Sequence, residues 1–276
     1  MSRLLLCTDL DRTLISNGSQ PESPNARHLF ARLAGREGLT LAYVTGRHQV
    51  LIQQAIHDFE LPTPDFAIAD VGATIYQVNG ATWQRLPDWD AHIAPAWGGA
   101  SHNDLRDLLT DIKALTLQEP EKQAVHKLSF YASIHTHTTE LLAQIESLCE
   151  RSGIRVHLIW SIDEATQQGL LDILPAHANK LHAIEFLMAM QGFEPDQTVF
   201  AGDSGNDLDV LTSDIPSVLV ANADADIKAR MATVSAAKLY LAKGDFLGMN
   251  GNYCAGILEG VAHYHPDIDI WLHQQH

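Results

Sequence analysis

The sequence predicts an α/β protein, a doubly wound parallel sheet interrupted by an inserted α+β domain. Three observations carry this expectation. Short apolar runs alternate with helical periodicity at both ends of the 276-residue chain. The middle third breaks that rhythm, and two acid-rich stretches directly follow apolar runs, where parallel strands would end.

Residues 4–7, Leu-Leu-Leu-Cys, form an apolar run that stops at Thr8 and Asp9, as a buried parallel strand does. Ser23 and Pro24 offer an N-cap and a first-turn proline. Ala26, Leu29, Phe30 and Leu33 then keep the i, i+3, i+4, i+7 spacing of an amphipathic helix. Residues 39–44 read as a second strand, Leu51, Ile52, Ala55 and Ile56 as a second helix, and residues 66–69 as a third strand. This βαβαβ order predicts a Rossmann-like core with helices on both faces. From about Ala81 to Pro175 the expected order changes to strand, long helix, strand, helix and two strands. Its helices cover 105–115 and 141–148, and its later strands 127–134, 154–160 and 170–174. After Pro175 the first rhythm returns, with a helix through Ala183, Ile184, Leu187 and Met188, strands at 198–201 and 217–221, and a late helix at 257–261. The expected partition is a core of residues 1–80 and 176–276 and an insert of residues 81–175.

Bulk properties narrow the function. A hydrophobic content of 46% with 19% charged residues is that of an ordinary globular protein. A net charge of −16 argues against a nucleic-acid surface, which needs clustered Lys and Arg. No segment approaches the roughly 20 unbroken apolar residues of a membrane helix, so no membrane partner is expected. Three widely spaced cysteines and no leader-like start predict a reduced, cytoplasmic protein. The fifteen histidines show no HExxH or Cys/His zinc spacing and read as surface or packing residues.

The chemistry lies in the two acidic stretches, Asp9-Leu10-Asp11-Arg12-Thr13 and Gly202-Asp203-Ser204-Gly205-Asn206-Asp207. Both follow predicted strands, and ligands of open α/β sheets bind at the carboxyl ends of strands. Carboxylates converging there repel unless a cation intervenes, and an all-oxygen set selects Mg²⁺. Thr45-Gly46-Arg47 ends another strand, where a hydroxyl and free backbone N–H groups suit phosphate. Lys180 stands at the start of the helix that reopens the core.

In order and separation, Asp9-x-Asp11-x-Thr13, Thr45, Lys180 and the Gly202–Asp207 stretch resemble the four motifs of the haloacid dehalogenase superfamily of phosphohydrolases. The insert is similar to the α/β cap of its sugar-phosphatase branch. Lys127-Leu128-Ser129-Phe130 and Ala255-Gly256-Ile257-Leu258 are similar to stretches of sucrose-phosphate and mannosylfructose-phosphate phosphatases. The resemblance implies that Asp9 is a nucleophile forming an acyl phosphate and Asp11 a general acid and base. It implies that Thr45 and Lys180 hold the phosphoryl oxygens. Mg²⁺ would be held by Asp9, the backbone carbonyl of Asp11, and Asp203, with Asp207 ligating directly or through water. Asn206 would position phosphate or Lys180.

The implied substrate is a small phosphorylated sugar, first a disaccharide phosphate such as sucrose 6-phosphate. The alternatives are mannosylfructose phosphate, a glycosylglycerate phosphate or a range of hexose phosphates. The core residues Gly46 and Arg47 are expected to meet the phosphate. Lys127 and Ser129 of the cap are expected to read the sugar, beside an aromatic face drawn from Trp83, Trp89, Trp97 and Trp160. A phosphomutase shares the acyl-phosphate chemistry, whereas a dinucleotide dehydrogenase lacks its GxGxxG here.

Overall fold

A computed structural model describes residues 3–163, 166–233 and 238–276. The first half of the core runs β1 (Leu4–Thr8), α1 (Ala26–Ala34), β2 (Leu39–Val44), α2 (Gln49–Asp58), β3 (Phe66–Ala69), β4 (Thr74–Asn79), β5 (Thr82–Arg85) and α3 (Pro87–Ile93). The insert follows as α4 (His102–Leu108), β6 (Thr116–Leu117), β7 (Leu128–Ser133), α5 (Thr138–Arg151), β8 (Val156–Asp163) and β9 (Gln168–Pro175). The chain returns to the core with α6 (Lys180–Gln191), β10 (Thr198–Gly202), α7 (Leu208–Leu211), β11 (Ser217–Leu219), α8 (Ala225–Thr233), β12 (Leu239–Leu241), α9 (Cys254–Tyr264) and α10 (Pro266–Gln275).

The core sheet has eight strands in the order β12-β11-β10-β1-β2-β3-β4-β5. It is parallel from β12 to β3 and ends in the antiparallel β4–β5 hairpin. One face packs on α1, α9 and α10 through Phe30, Leu33, Ile257, Leu258 and Leu272, and the other on α3, α6 and α7 through Trp89, Ile184, Leu187 and Val210. Burial on both faces explains why the central strands are continuous apolar runs. The insert builds its own antiparallel sheet, β6-β7-β9-β8, against α4 and α5, with a separate core around Leu105, Phe130, Ile145 and Leu171.

Several boundaries differ from those the sequence predicts. The strand expected to open the insert is β5, which extends the core sheet, and α3 buries Trp89 and Ile93 in the core. The core thus continues past residue 80 to Ile93. The long helix expected over 105–115 is two turns, α4; its apolar residues Leu109 and Ile112 still reach the insert core from the turns that follow. Ser23 does not cap α1. Its hydroxyl accepts the Asn250 N–H at 2.9 Å, and Asn25 opens the helix in the left-handed region at φ 63°. Ala255-Gly256-Ile257-Leu258 lies in buried α9, packed under the sheet, and serves the fold.

One turn ties the fold to the site. After β3 the chain takes three successive left-handed residues, Asp70 (φ 53°), Val71 (φ 58°) and Gly72 (φ 100°). A Cβ on Gly72 would lie 2.4 Å from the backbone of Asn179, immediately before Lys180. Gly72→Ala should therefore lower Tm by about 5–10 °C, the scale of a clash with backbone in a strained conformation. It should also impair activity by displacing the start of α6. Thermal melts with wild-type values would show that the turn relaxes freely.

Candidate active site

Four strand ends and one helix start converge at the carboxyl edge of the core sheet. Asp9 follows β1, Thr45 follows β2, Asp70 follows β3, Asp203 follows β10, and Lys180 opens α6. Parallel strands deliver these residues together because all their carboxyl ends point the same way. Asn179 caps α6, its Oδ1 accepting the His182 N–H at 2.8 Å, which fixes where Lys180 begins.

Lys180 is buried and its ammonium donates to Asp9 Oδ1 at 3.0 Å, Asp207 Oδ1 at 2.7 Å and Asn206 Oδ1 at 3.3 Å. Burial alone would lower its pKa, but Asp207 and Asp9 reverse that and hold it a cation. One cation does not balance its neighbours. Oxygens of Asp9, Asp203 and Asp207 all lie within 4.8 Å of one another. Burial pushes the Asp9 carboxyl well above the ordinary range against the pull of Lys180, and the other aspartates add to the rise. Burial and then Asp207 push Asp203 up to about 6.

This donor set fits a hard divalent cation. It is all oxygen and carries more negative than positive charge. Asp203 Oδ2 is buried without a hydrogen-bond partner, with the Arg12 guanidinium 3.5 Å away. Asp207 is less free. Its Oδ2 accepts the Asp203 and Ser204 N–H groups at 3.1 and 3.2 Å, closing the loop after β10. A Cβ at Gly202 would come within 2.6 Å of that oxygen, so the loop needs glycine there.

Asp11 stands apart from the cluster. Arg47 grips both its oxygens, Nε to Oδ2 at 2.8 Å and Nη2 to Oδ1 at 2.6 Å, and Asn17 donates to Oδ1 at 2.7 Å. Burial acts to raise this carboxyl, yet Arg47 and Asn17 outweigh it and hold the group below the usual range. Sequence reasoning placed Arg47 near the phosphate and missed this bidentate pair, because no motif links the ends of β1 and β2. Arg12 is drawn outward to Asp224, at 2.6 Å.

Above the carboxylates lies a cavity of about 670 Å³, walled by Asp9, Asp11, Thr45, Arg47 and Asp203 from the core and by Gln118, Lys122, Lys127, Trp160 and Asp172 from the insert. Gly46 and Asn206 line it too. Lys127 is buried between Asp70 of the core, 3.8 Å from its Nζ, and Asp172 of the insert, 3.6 Å away. Burial raises the Asp70 carboxyl against the pull of Lys127.

Two expectations for the insert change. Ser129 does not face the cavity; its hydroxyl is fully buried, donating to Asp172 Oδ1 at 2.5 Å across the β7–β9 pair. It orients Asp172, a cavity residue no motif marked. Of the four tryptophans, Trp160 borders the cavity. Trp83 meets Tyr76 edge-on in the core hairpin, and Trp89 and Trp97 are buried in the two hydrophobic cores.

Comparison with known proteins bears on the fold and the class of chemistry. The family model for sucrose-6F-phosphate phosphohydrolase matches residues 2–265. A HAD-like hydrolase of Nitrosococcus oceani is 50% identical over 98% of this chain and 74% of its own length. Sucrose-phosphatase 1 of Nicotiana tabacum is 29% identical over 82% of the chain, which spans 52% of that longer protein. The crystal structure of sucrose-phosphatase from Synechocystis sp. PCC6803, in complex with sucrose and phosphate, superposes with a TM-score of 0.75 at 27% identity. That match covers 96% of this chain and 98% of that one. The chain therefore belongs to the sucrose-6F-phosphate phosphohydrolase family, within the haloacid dehalogenase superfamily of phosphatases.

Proposed function

We propose that this protein hydrolyses the phosphate ester of a disaccharide, sucrose 6F-phosphate being the first choice, through an aspartyl phosphate on Asp9 and with Mg²⁺. The observation that carries the reading is the stacking of a phosphate-type floor under a polar roof. Asp9, Thr45 and Lys180 lie below, and Gln118, Lys127 and Asp172 lie above. A Synechocystis relative of the same fold holds sucrose and phosphate, which supports the disaccharide.

Asp9 attacks phosphorus with one carboxylate oxygen while the bond to the sugar oxygen breaks. Asp11 delivers a proton to that leaving oxygen, then takes one from the water that cleaves the acyl phosphate. For this Asp11 must leave Arg47, and the incoming phosphate offers Arg47 another anionic partner. Lys180, steadied by Asn206 and Asp207, and the Thr45 hydroxyl stabilise charge on the transferring oxygens. Asp9, Asp203 and the backbone carbonyl of Asp11 would hold Mg²⁺, with Asp207 steadying the loop and ligating through water. The ion supplies charge neutralisation of phosphate and of the carboxylate nucleophile.

A phosphate-release screen with Mg²⁺ over sucrose 6F-phosphate, mannosylfructose phosphate, a glycosylglycerate phosphate and hexose phosphates tests the reading. Sucrose 6F-phosphate should give the highest kcat/KM. Equal values across the panel would favour a general hexose phosphatase, and transfer without phosphate release a mutase. Lys127→Ala should cost about tenfold or more in kcat/KM on the disaccharide, the scale of a lost charged hydrogen bond, and less on p-nitrophenyl phosphate. Equal losses on both would assign Lys127 to the core–cap contact alone.

A further inference from the structure

Three of the fifteen histidines, far apart in sequence, come together beside the start of α6. His92 lies on α3, the last core helix before the insert, and His182 in the first turn of α6, the helix that follows it. Their Nε2 atoms face each other at 2.8 Å. His177, on the crossing back from β9, stacks on His182 with ring centres 5.6 Å apart.

Packing holds both facing rings. Trp89 stacks on His92 at 5.6 Å, and Phe186 lies against the same ring at 5.3 Å. The Asn179 cap fixes the backbone of His182 at 2.8 Å. Burial and then the facing His92 hold the His182 ring below the ordinary histidine range, with Glu185 opposing, so near pH 7 it is neutral. His92 is exposed and His182 half-buried, so the pair is open to solvent. A hydrogen bond between two such rings gains little over bonds to water. The same geometry suits a metal ion. Two imidazoles on one tetrahedral ion, at about 2.0–2.1 Å each, place their nitrogens roughly 3.3 Å apart, an opening of about half an ångström here. The ring that carries the Nε2 proton takes the Nδ1–H tautomer, and both lone pairs then face the ion. Nitrogen donors select borderline transition ions over Mg²⁺, the reverse of the carboxylate cluster.

We infer that His92 and His182 form a second metal site, for a borderline divalent ion of the Zn²⁺ class, with water completing its shell. Such an ion joins α3 to α6, and so ties the chain where it leaves the core to the chain where it returns. It is a staple at the base of the insert, two residues from Lys180. The site is independent of which ester the enzyme hydrolyses.

The test is calorimetric titration with Zn²⁺ in excess Mg²⁺, which competes for the carboxylate cluster. It compares wild type with His92→Ala, His182→Ala and His57→Ala. His57 is an exposed histidine of α2 and controls for loose surface binding. Wild type and His57→Ala should bind one ion alike, while His92→Ala and His182→Ala each lose about tenfold or more in affinity, at least the cost of losing a ligand's support. Zn²⁺ at about 100-fold above Kd should raise Tm by roughly 5–10 °C in wild type and by far less in His92→Ala. The exposed His92 guards against a folding defect in the α6 variant. In NMR spectra, Zn²⁺ should shift the ring resonances of His92 and His182 before those of other histidines. No binding by wild type, equal affinity in wild type and folded His92→Ala, or shifts led by other histidines overturns the site.

Discussion

Asp9→Asn should fold normally and lose about 10⁴-fold or more in phosphate release, the scale of removing a nucleophile. Its thermal stability should match or exceed that of wild type in chelator. Asp9 is a buried carboxyl whose ionisation is opposed by burial and by three neighbouring aspartates and favoured by Lys180. A neutral amide of the same shape removes the repulsion and keeps an acceptor for Lys180 at the 3.0 Å position. Activity and stability are thus expected to separate, which distinguishes a chemical role from a structural one. Substantial turnover by pure Asp9→Asn would sink the acyl-phosphate mechanism. Asp11→Asn should also fall severely while still trapping some phosphorylated protein, because the water of the second step loses the base that takes its proton.

Removing Mg²⁺ should abolish turnover, and its return should restore it, whereas Ca²⁺, larger and looser in geometry, should not substitute. A readout free of catalysis follows from the carboxylate cluster. Asp203 ionises only at about 6 in the folded protein, well above an unfolded aspartate near 4. A carboxyl raised in this way stabilises the fold fully below the unfolded value. That contribution is lost as pH rises through the folded value. In chelator, Tm should therefore fall between about pH 4 and pH 7 from this group. Mg²⁺ binds the ionised form, so its stabilisation should grow across the same interval. At a concentration 100-fold above Kd it amounts to about 2.7 kcal/mol, or roughly 5–10 °C. A Tm at pH 7.5 that ignores Mg²⁺, or full activity in excess chelator, would contradict the metal site.

Among the described residues no helix is long and apolar enough to cross a membrane, and the three cysteines are buried and unpaired. Both facts sit with the composition, but neither identifies the sugar. The proposed discrimination between sugars falls to the insert, where local sequence is least informative. The β5 strand shows why. Thr82–Arg85 alternates exposed and half-buried residues, a pattern that suits the edge of either sheet, and only its pairing with β4 assigns it to the core. Trp83 and Trp89 went with it, out of the predicted sugar face.

The sequence alone determined which strands are buried and which residues end them. Continuous apolar runs stop at Asp9, Thr45 and Asp203, and parallel topology then brings those termini together. Tertiary structure decided how each functional group is used. It turned Asp11 toward Arg47, committed the Ser129 hydroxyl to Asp172, and set Asp70 in a left-handed turn beside an insert lysine. The reason is physical. Burial periodicity is a property of neighbouring residues, whereas the partner of a polar group is chosen between segments that meet only after folding. Arg47 lies 36 positions from Asp11, and Asp172 lies 43 from Ser129.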